Sequence, residues 1–234
     1  AQTQGAARAQ GAAQAEAAAA RGVAAVGGPN LVFESDPWFA RLVGHMQGTL
    51  GGSGGSAQSY AIATPRRVRS LPNCNAMYRR EALESEGYDD AIGCGDDLDL
   101  NYRLARRGHA FQFVPGAVVR HHRPAGIGAF ARKMYCYGEA MGRVTRKNRG
   151  VVRWYAFAAG LGVIGLVLAY PLVRFVPYMG YAYLAAAAVY LGLLCVATFQ
   201  VAARLRTPAS LLTLLLLPLQ HLVYGVGFLK GLAA

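Results

Sequence analysis

Residues 155–234 contain no Asp and no Glu, although the 234-residue chain has 12 acidic residues, and they hold only four of its 24 Lys and Arg residues: Arg174, Arg204, Arg206 and Lys230. Helices of a soluble domain carry polar faces, so this deficit excludes a single soluble globular domain for the whole chain. Cysteine is scarce as well. Cys74, Cys94, Cys136 and Cys195 form no Cys-x-x-Cys pair, which argues against structural zinc and fits a reduced compartment. The first twenty residues, AQTQGAARAQGAAQAEAAAA, lack the apolar centre of a secretory signal. A hydrophobic content of 54% excludes disorder as the general state of the chain.

The acid-free part instead holds three uncharged stretches, residues 154–173, 175–203 and 207–229. Each is near or above the roughly 20 apolar residues that cross a bilayer, so three transmembrane helices are expected. The run LLTLLLL at 211–217 has almost no polar face to offer a soluble core. Pro171, Pro177 and Pro218 lie at or inside these stretches, where neighbouring helices can satisfy the freed backbone groups. Arg143, Arg146, Lys147, Arg149 and Arg153 precede the first stretch, and Arg204 and Arg206 lie in the second connection, against Arg174 alone in the first. Basic loops stay on the cytoplasmic side, so the expectation is a multi-pass protein of the cell membrane with its N-terminal part cytosolic. The net charge of +12 follows this membrane pattern, no aromatic-interleaved binding motif appears, and nucleic acid is not an expected partner.

Ahead of the apolar part, residues 1–21 read as an Ala-rich helix and residues 22–28 (GVAAVGG) as a short buried strand ending in a turn. A loop and helix follow over 29–48, then the Gly-rich GGSGGS at 51–56, expected to be a flexible loop, either a linker or a flap. PRRVRS at 65–70 reads as a basic turn and residues 78–86 as a short helix. Gly93-Cys94-Gly95 reads as a tight loop and residues 96–107 as a helix stopped by Gly108, with Leu98, Leu100, Tyr102, Leu104 and Ala105 supplying apolar contacts. Asp96 and Asp97 then stand at the positive end of that helix, which favours ionised carboxylates. Plain capping accounts for one or two of Asp96, Asp97 and Asp99, but hardly for all three beside a Gly-x-Gly loop. Strands at 109–114 and 117–119 deliver His121 and His122 to a strand end, a pair able to meet a metal or a phosphate.

The ordered series GVAAVGGPN (22–30), LPNCNAMYRREALESEGYDD (71–90), GCGDDLDLNYRLARRG (93–108) and FVPGAVVRHHRP (113–124) resembles the second half of the catalytic domain of family 2 glycosyltransferases. These are inverting enzymes of GT-A fold that use nucleotide-activated sugars. The family's usual Gly-Glu-Asp stands here as Gly95-Asp96-Asp97. The resemblance implies that Asp97 is the general base for the acceptor hydroxyl and that Asp96 helps place acceptor or base. It further implies that Asn75 and Arg79 line the acceptor side of the cleft, and that Asp99 is a surface or supporting residue. Arg132, His121 and His122 are candidates for meeting phosphate. A nucleotide sugar donor, a lipid-linked or glycan acceptor, membrane lipids and a divalent Mg or Mn ion are the partners and cofactor that follow.

The family's first half, with the donor pocket and the metal-binding Asp-x-Asp, is expected before Gly22, where only the Ala-rich stretch stands. Asp97-Leu98-Asp99 spells that motif on the wrong element, so the metal ligands are not expected in this chain. The chain is accordingly read as truncated at its N-terminus and inactive alone. The alternative is a non-catalytic membrane subunit that keeps a remnant transferase fold and binds a partner protein. The Gln-x-x-Arg-Trp signature of processive synthases is absent.

The expected fold class is α/β: a partial GT-A domain followed by three transmembrane helices. The expected parts are an Ala-rich helical segment at 1–21, the C-terminal half of the GT-A-like domain at 22–126, an interfacial amphipathic basic helix at 127–153 and the three-helix region at 154–234. Phe130, Met134, Tyr135, Tyr137 and Met141 give the interfacial helix its apolar side. His221 is expected to donate a hydrogen bond in helix packing.

Overall fold

The computed structural model describes residues 22–54, 56, 64–151, 154–174, 176 and 179–234. The expected helix at 1–21 therefore lies outside the described residues. In chain order come β1 (Val23–Gly27), β2 (Asn30–Leu31), α1 (Trp38–Gln47), α2 (Leu50–Ser53), β3 (Arg66–Val68), β4 (Ala76–Tyr78), α3 (Arg80–Glu86) and α4 (Asp96–Arg106). They are followed by β5 (Ala110–Phe113), β6 (Val119–Arg120), α5 (Ile127–Lys147), α6 (Trp154–Ala169), α7 (Met179–Leu205) and α8 (Thr213–Ala233). The chain divides into two compact units, Ala1–Ser35 with Ser56–His122, and Asp36–Gly55 with Arg123–Ala234.

The first unit is built on a four-stranded sheet in the order β3-β5-β1-β4, with β1 and β5 parallel and the two outer strands antiparallel to their neighbours. Phe111 and Phe113 alternate with Gln112 along β5, and the alternation puts both rings in the interior. Leu100 and Leu104, one turn apart on α4, join Ala24, Ala25, Leu71, Ala82 and Phe111 in one core cluster. Burying the Leu and Phe side chains of such a cluster contributes about 1.5–3 kcal/mol each. β2 and β6 form a separate parallel pair.

Three local expectations change here. The basic segment at 65–70 is not only a turn, because Arg66–Val68 pairs with Val68 opposite Phe111 and becomes an edge strand. Exposed arginines suit an edge, where charge discourages pairing with another chain. The helix expected from residue 78 begins at Arg80, because Tyr78 is committed to β4 opposite Ala25. On α4 the buried residues are Asp99, Leu100, Asn101 and Leu104, and Ala105 is exposed.

In the second unit, Phe39, Leu42, Val43 and Met46 of α1 enter a core with Phe130 and Met134 of α5, Leu194, Ala197 and Val201 of α7, and Leu216 and Leu217 of α8. The apolar side of α5, expected to face a membrane interface, thus gives Phe130 and Met134 to protein packing. α5 and α8 lie backbone to backbone: a methyl group at Gly138 would overlap the Tyr224 carbonyl oxygen, and one at Gly231 the Glu139 carbonyl oxygen. Small residues permit such close approach between apolar helices. The Gly-rich segment is not wholly loop, since Leu50–Ser53 makes a helical turn whose Thr49 side chain accepts from the Gly52 N–H at 3.1 Å.

Two of the three expected spans are long and apolar enough to cross a membrane, Met179–Leu205 and Pro208–Ala233. The first stretch behaves differently. α6 covers 16 residues and stops at Ala169, with Tyr170 in a turn before Pro171. At about 1.5 Å per residue it spans about 24 Å, short of a hydrocarbon layer of about 30 Å. The physical cause is Pro171, whose ring disfavours helical conformation in the residue before it.

Candidate active site

Asp96 and Asp97 open α4 after Gly95, whose φ of 92° puts the cap residue in the left-handed region that suits glycine. Oδ1 of Asp97 accepts the Leu98 N–H at 2.8 Å and Oδ2 accepts the Asn73 N–H at 3.2 Å. Oδ1 of Asp96 accepts the Asp97 N–H at 2.8 Å and the Asn73 side-chain amide at 3.2 Å. The Tyr88 hydroxyl then donates to Oδ1 of Asn73 at 3.0 Å, so one asparagine joins both acids and a phenol.

The position of Asn73 is set one turn further along α4. Asn101 is fully buried and its amide donates to the Leu71 carbonyl at 2.6 Å and to Ser70 Oγ at 3.0 Å, while its Oδ1 accepts from the Tyr78 hydroxyl at 2.8 Å. Asp97 and Asn101, four residues apart on one helix face, therefore hold residues 71 and 73 of the neighbouring segment.

Burial pushes the Asp97 carboxyl above its ordinary range, and the charge of Asp96 adds to this, against the N–H donors of Asn73 and Leu98. The Tyr88 phenol is raised by burial and by both acids, and that of Tyr78 is raised mainly by burial. A carboxylate whose pKa rises toward neutrality is a better proton acceptor, provided it is still ionised.

Asp99 plays another part. It is completely buried, and Arg103 Nε meets its Oδ2 at 2.8 Å. The same guanidinium pairs with Glu86 and donates to the Gly87 carbonyl at 2.7 Å, tying α3 to α4. The third acid of the motif is structural, not a surface residue.

Among the other sequence-identified residues, Asn75 shares the short 3-10 turn of Asn73. Its side-chain amide donates to the carbonyls of Pro29 at 3.1 Å and Ala117 at 2.8 Å, bridging two loops. Arg79 is exposed, and its N–H reaches the Ala24 carbonyl at 2.8 Å. His121 closes the β2–β6 pair through its N–H to Leu31, and its Nδ1 donates to the His122 carbonyl at 2.7 Å. His122 stacks on Phe33 with ring centroids 4.3 Å apart. Arg132 is exposed on α5, in the other unit.

Among the described residues no group of three or more His, Cys, Asp or Glu is placed to hold a metal ion. The described residues do not fit the expected divalent ion, because among them Asp99 is turned into its ion pair and leaves Asp96 and Asp97 together without a third ligand. Sequence reading missed Asn73, Tyr88 and Asn101. The one available signal for Asn101 was an uncharged polar residue beside Leu100 on the inner face of α4.

No curated protein and no solved structure matches the chain significantly. The sequence model of the family described as glycosyl transferase family group 2 matches residues 10–226, nearly the whole chain. The chain therefore belongs to glycosyl transferase family group 2 and has a glycosyl transfer role.

Proposed function

We propose that the protein is an inverting transferase in which Asp97 is the general base. The acceptor hydroxyl gives its proton to Asp97 as its oxygen bonds to the anomeric carbon. The bond from that carbon to the diphosphate oxygen breaks, and the nucleoside diphosphate leaves from the opposite face. Asp96 orients the acceptor hydroxyl, and Asn75 and Arg79 border the acceptor. His121 and His122 are proposed to meet phosphate, and Arg132, in the other unit, is proposed separately as a phosphate-meeting group.

The observation that carries this reading is the half-buried Asp97 carboxyl at the start of α4, fixed through both oxygens by N–H donors. Fixing the base in advance removes the cost of orienting it during reaction.

The enzyme is further proposed to be membrane-anchored and to act on a lipid-linked acceptor at the cytosolic face. Only 22% of the most apolar part of α7 is buried by protein, which supports a lipid-facing helix over a core helix. Leu184, Leu191, Val196 and Phe199 lie on its exposed surface.

The test is transfer by the full protein in lipid nanodiscs from a panel of radiolabelled nucleotide sugars to extracted membrane lipids. Asp97→Asn is expected to lower the rate by about 10² to 10⁴ while leaving donor binding unchanged. A variant within about threefold of the native rate would remove Asp97 from the chemistry, since general-base loss costs far more than that.

A further inference from the structure

The segment Asp36–Gly55 stands between β-strands of the first unit in sequence, yet it belongs to the unit of apolar helices. Three side chains of α7 and α8 hold its backbone. Gln220 Nε2 donates to the Gly52 carbonyl at 2.7 Å, His221 Nε2 meets the Gly51 carbonyl at 2.8 Å, and Arg204 reaches the Gly48 carbonyl at 3.4 Å. His221 is in turn fixed by the Tyr190 hydroxyl at its Nδ1, 2.9 Å away. A methyl group at Gly52 would overlap the Met46 carbonyl oxygen, so the glycine run is what lets α2 fold back on α1.

The most exposed side chains of this hairpin are apolar. Between Asp36 and Ser53 the exposed residues are Pro37, Trp38 and Leu50, with Trp38 59% and Leu50 58% exposed. Asp36 is buried, and Arg41 and His45, three and seven positions after Trp38 and so on its face of α1, are half-buried. The most exposed side chains of the hairpin are thus a Trp and a Leu, with basic groups beside the Trp, the mixture of a helix lying at a membrane interface. The hairpin is held at the level of Leu194 and Ala197 of α7 and of Gln220 and His221 of α8, and α7 leaves Val196 and Phe199 exposed on another side. Trp is the side chain most suited to the boundary between head groups and acyl chains.

We propose that residues 36–53 form a lipid-facing hairpin, clamped to α7 and α8 by Gln220, His221 and Arg204, that seats Trp38 and Leu50 in the membrane interface. The occupant of the surface is the bilayer, continuous with the lipid that surrounds α7. This rests on the membrane reading of α7 and α8.

The chain has two Trp residues, Trp38 and Trp154. In nanodiscs of lipid brominated near the head group or near the chain end, Trp154→Phe leaves Trp38 as the only reporter. Its fluorescence is expected to fall severalfold more with bromine near the head group than near the chain end, and to resist iodide in the water. Two further single-Trp chains, with both native Trp residues replaced by Phe, carry Leu50→Trp or Phe199→Trp. Leu50→Trp is expected to behave as Trp38 does, and if Trp154→Phe misfolds, Trp154→Tyr takes its place in all three chains. Quenching by iodide and not by brominated lipid at positions 38 and 50, with lipid quenching kept at position 199, overturns the hairpin and leaves the membrane reading standing. Loss of lipid quenching at all three positions overturns both.

Discussion

The backbone N–H of Asn73 donates to Oδ2 of Asp97 at 3.2 Å, across 24 residues of sequence. A backbone donor cannot rotate away as a side chain can, so Asp97 is held by the path of the chain itself. That path depends on Asn101 gripping Leu71. The carboxylate is thereby fixed while burial keeps its proton affinity raised.

The raised pKa of Asp97 makes stability depend on pH in a defined direction. The folded state binds this proton more tightly than the unfolded chain does, so the contribution is fully present below the unfolded carboxylate pKa and is lost as pH rises through the folded value. Asp97→Asn cannot ionise and should be more stable than the native protein at neutral pH. The advantage should shrink toward zero as pH falls through the raised pKa. Thermal unfolding of both proteins across mildly acidic to neutral pH checks this, and a gap that widens on acidification would contradict it.

Arg103→Met removes the guanidinium from fully buried Asp99 and from Glu86 together. Breaking a buried pair in this way costs about 3–5 kcal/mol. Asp99→Asn should cost less, because Arg103 keeps Glu86 and the Gly87 carbonyl. Denaturant titration of the two variants should place them in that order.

Gly138→Ala forces α5 and α8 apart, since the added methyl has the Tyr224 carbonyl oxygen in its place. Overpacking of this kind costs about 1–3 kcal/mol. Gly162→Ala in α6 meets nothing within 4 Å and serves as the control. It should be neutral or gain up to about 1 kcal/mol from helix propensity. Thermal unfolding in detergent measures both.

The proposed topology puts Arg206 on the same side of the membrane as residues 64–151. A single Cys at Arg206, in a chain without its four native cysteines, should react with an impermeant maleimide only after the cells are permeabilised. Labelling of intact cells would reverse the orientation and with it the cytosolic donor.

The elements with one strong local cause were legible without coordinates. β1 is a buried apolar run bounded by glycines, and α4 is marked by acids at its start and Gly108, at φ of 87°, after its end. The apolar character of α7 and α8 needed only the absence of charge. The acid pair of the site was visible too, because Asp96 and Asp97 are adjacent at a helix start.

Tertiary structure decided what depends on a distant partner. Asp97 and Asp99 look alike in sequence, and the fold separates them by placing Asn73 beside one and Arg103 with Glu86 beside the other. PRRVRS becomes strand because β5 offers it a ladder, and Gly51 and Gly52 become helical turn because Thr49, Gln220 and His221 satisfy the backbone. A sequence records which groups need partners. The fold alone, by bringing residues from 24 to 170 positions apart within hydrogen-bond reach, decides which partners they find.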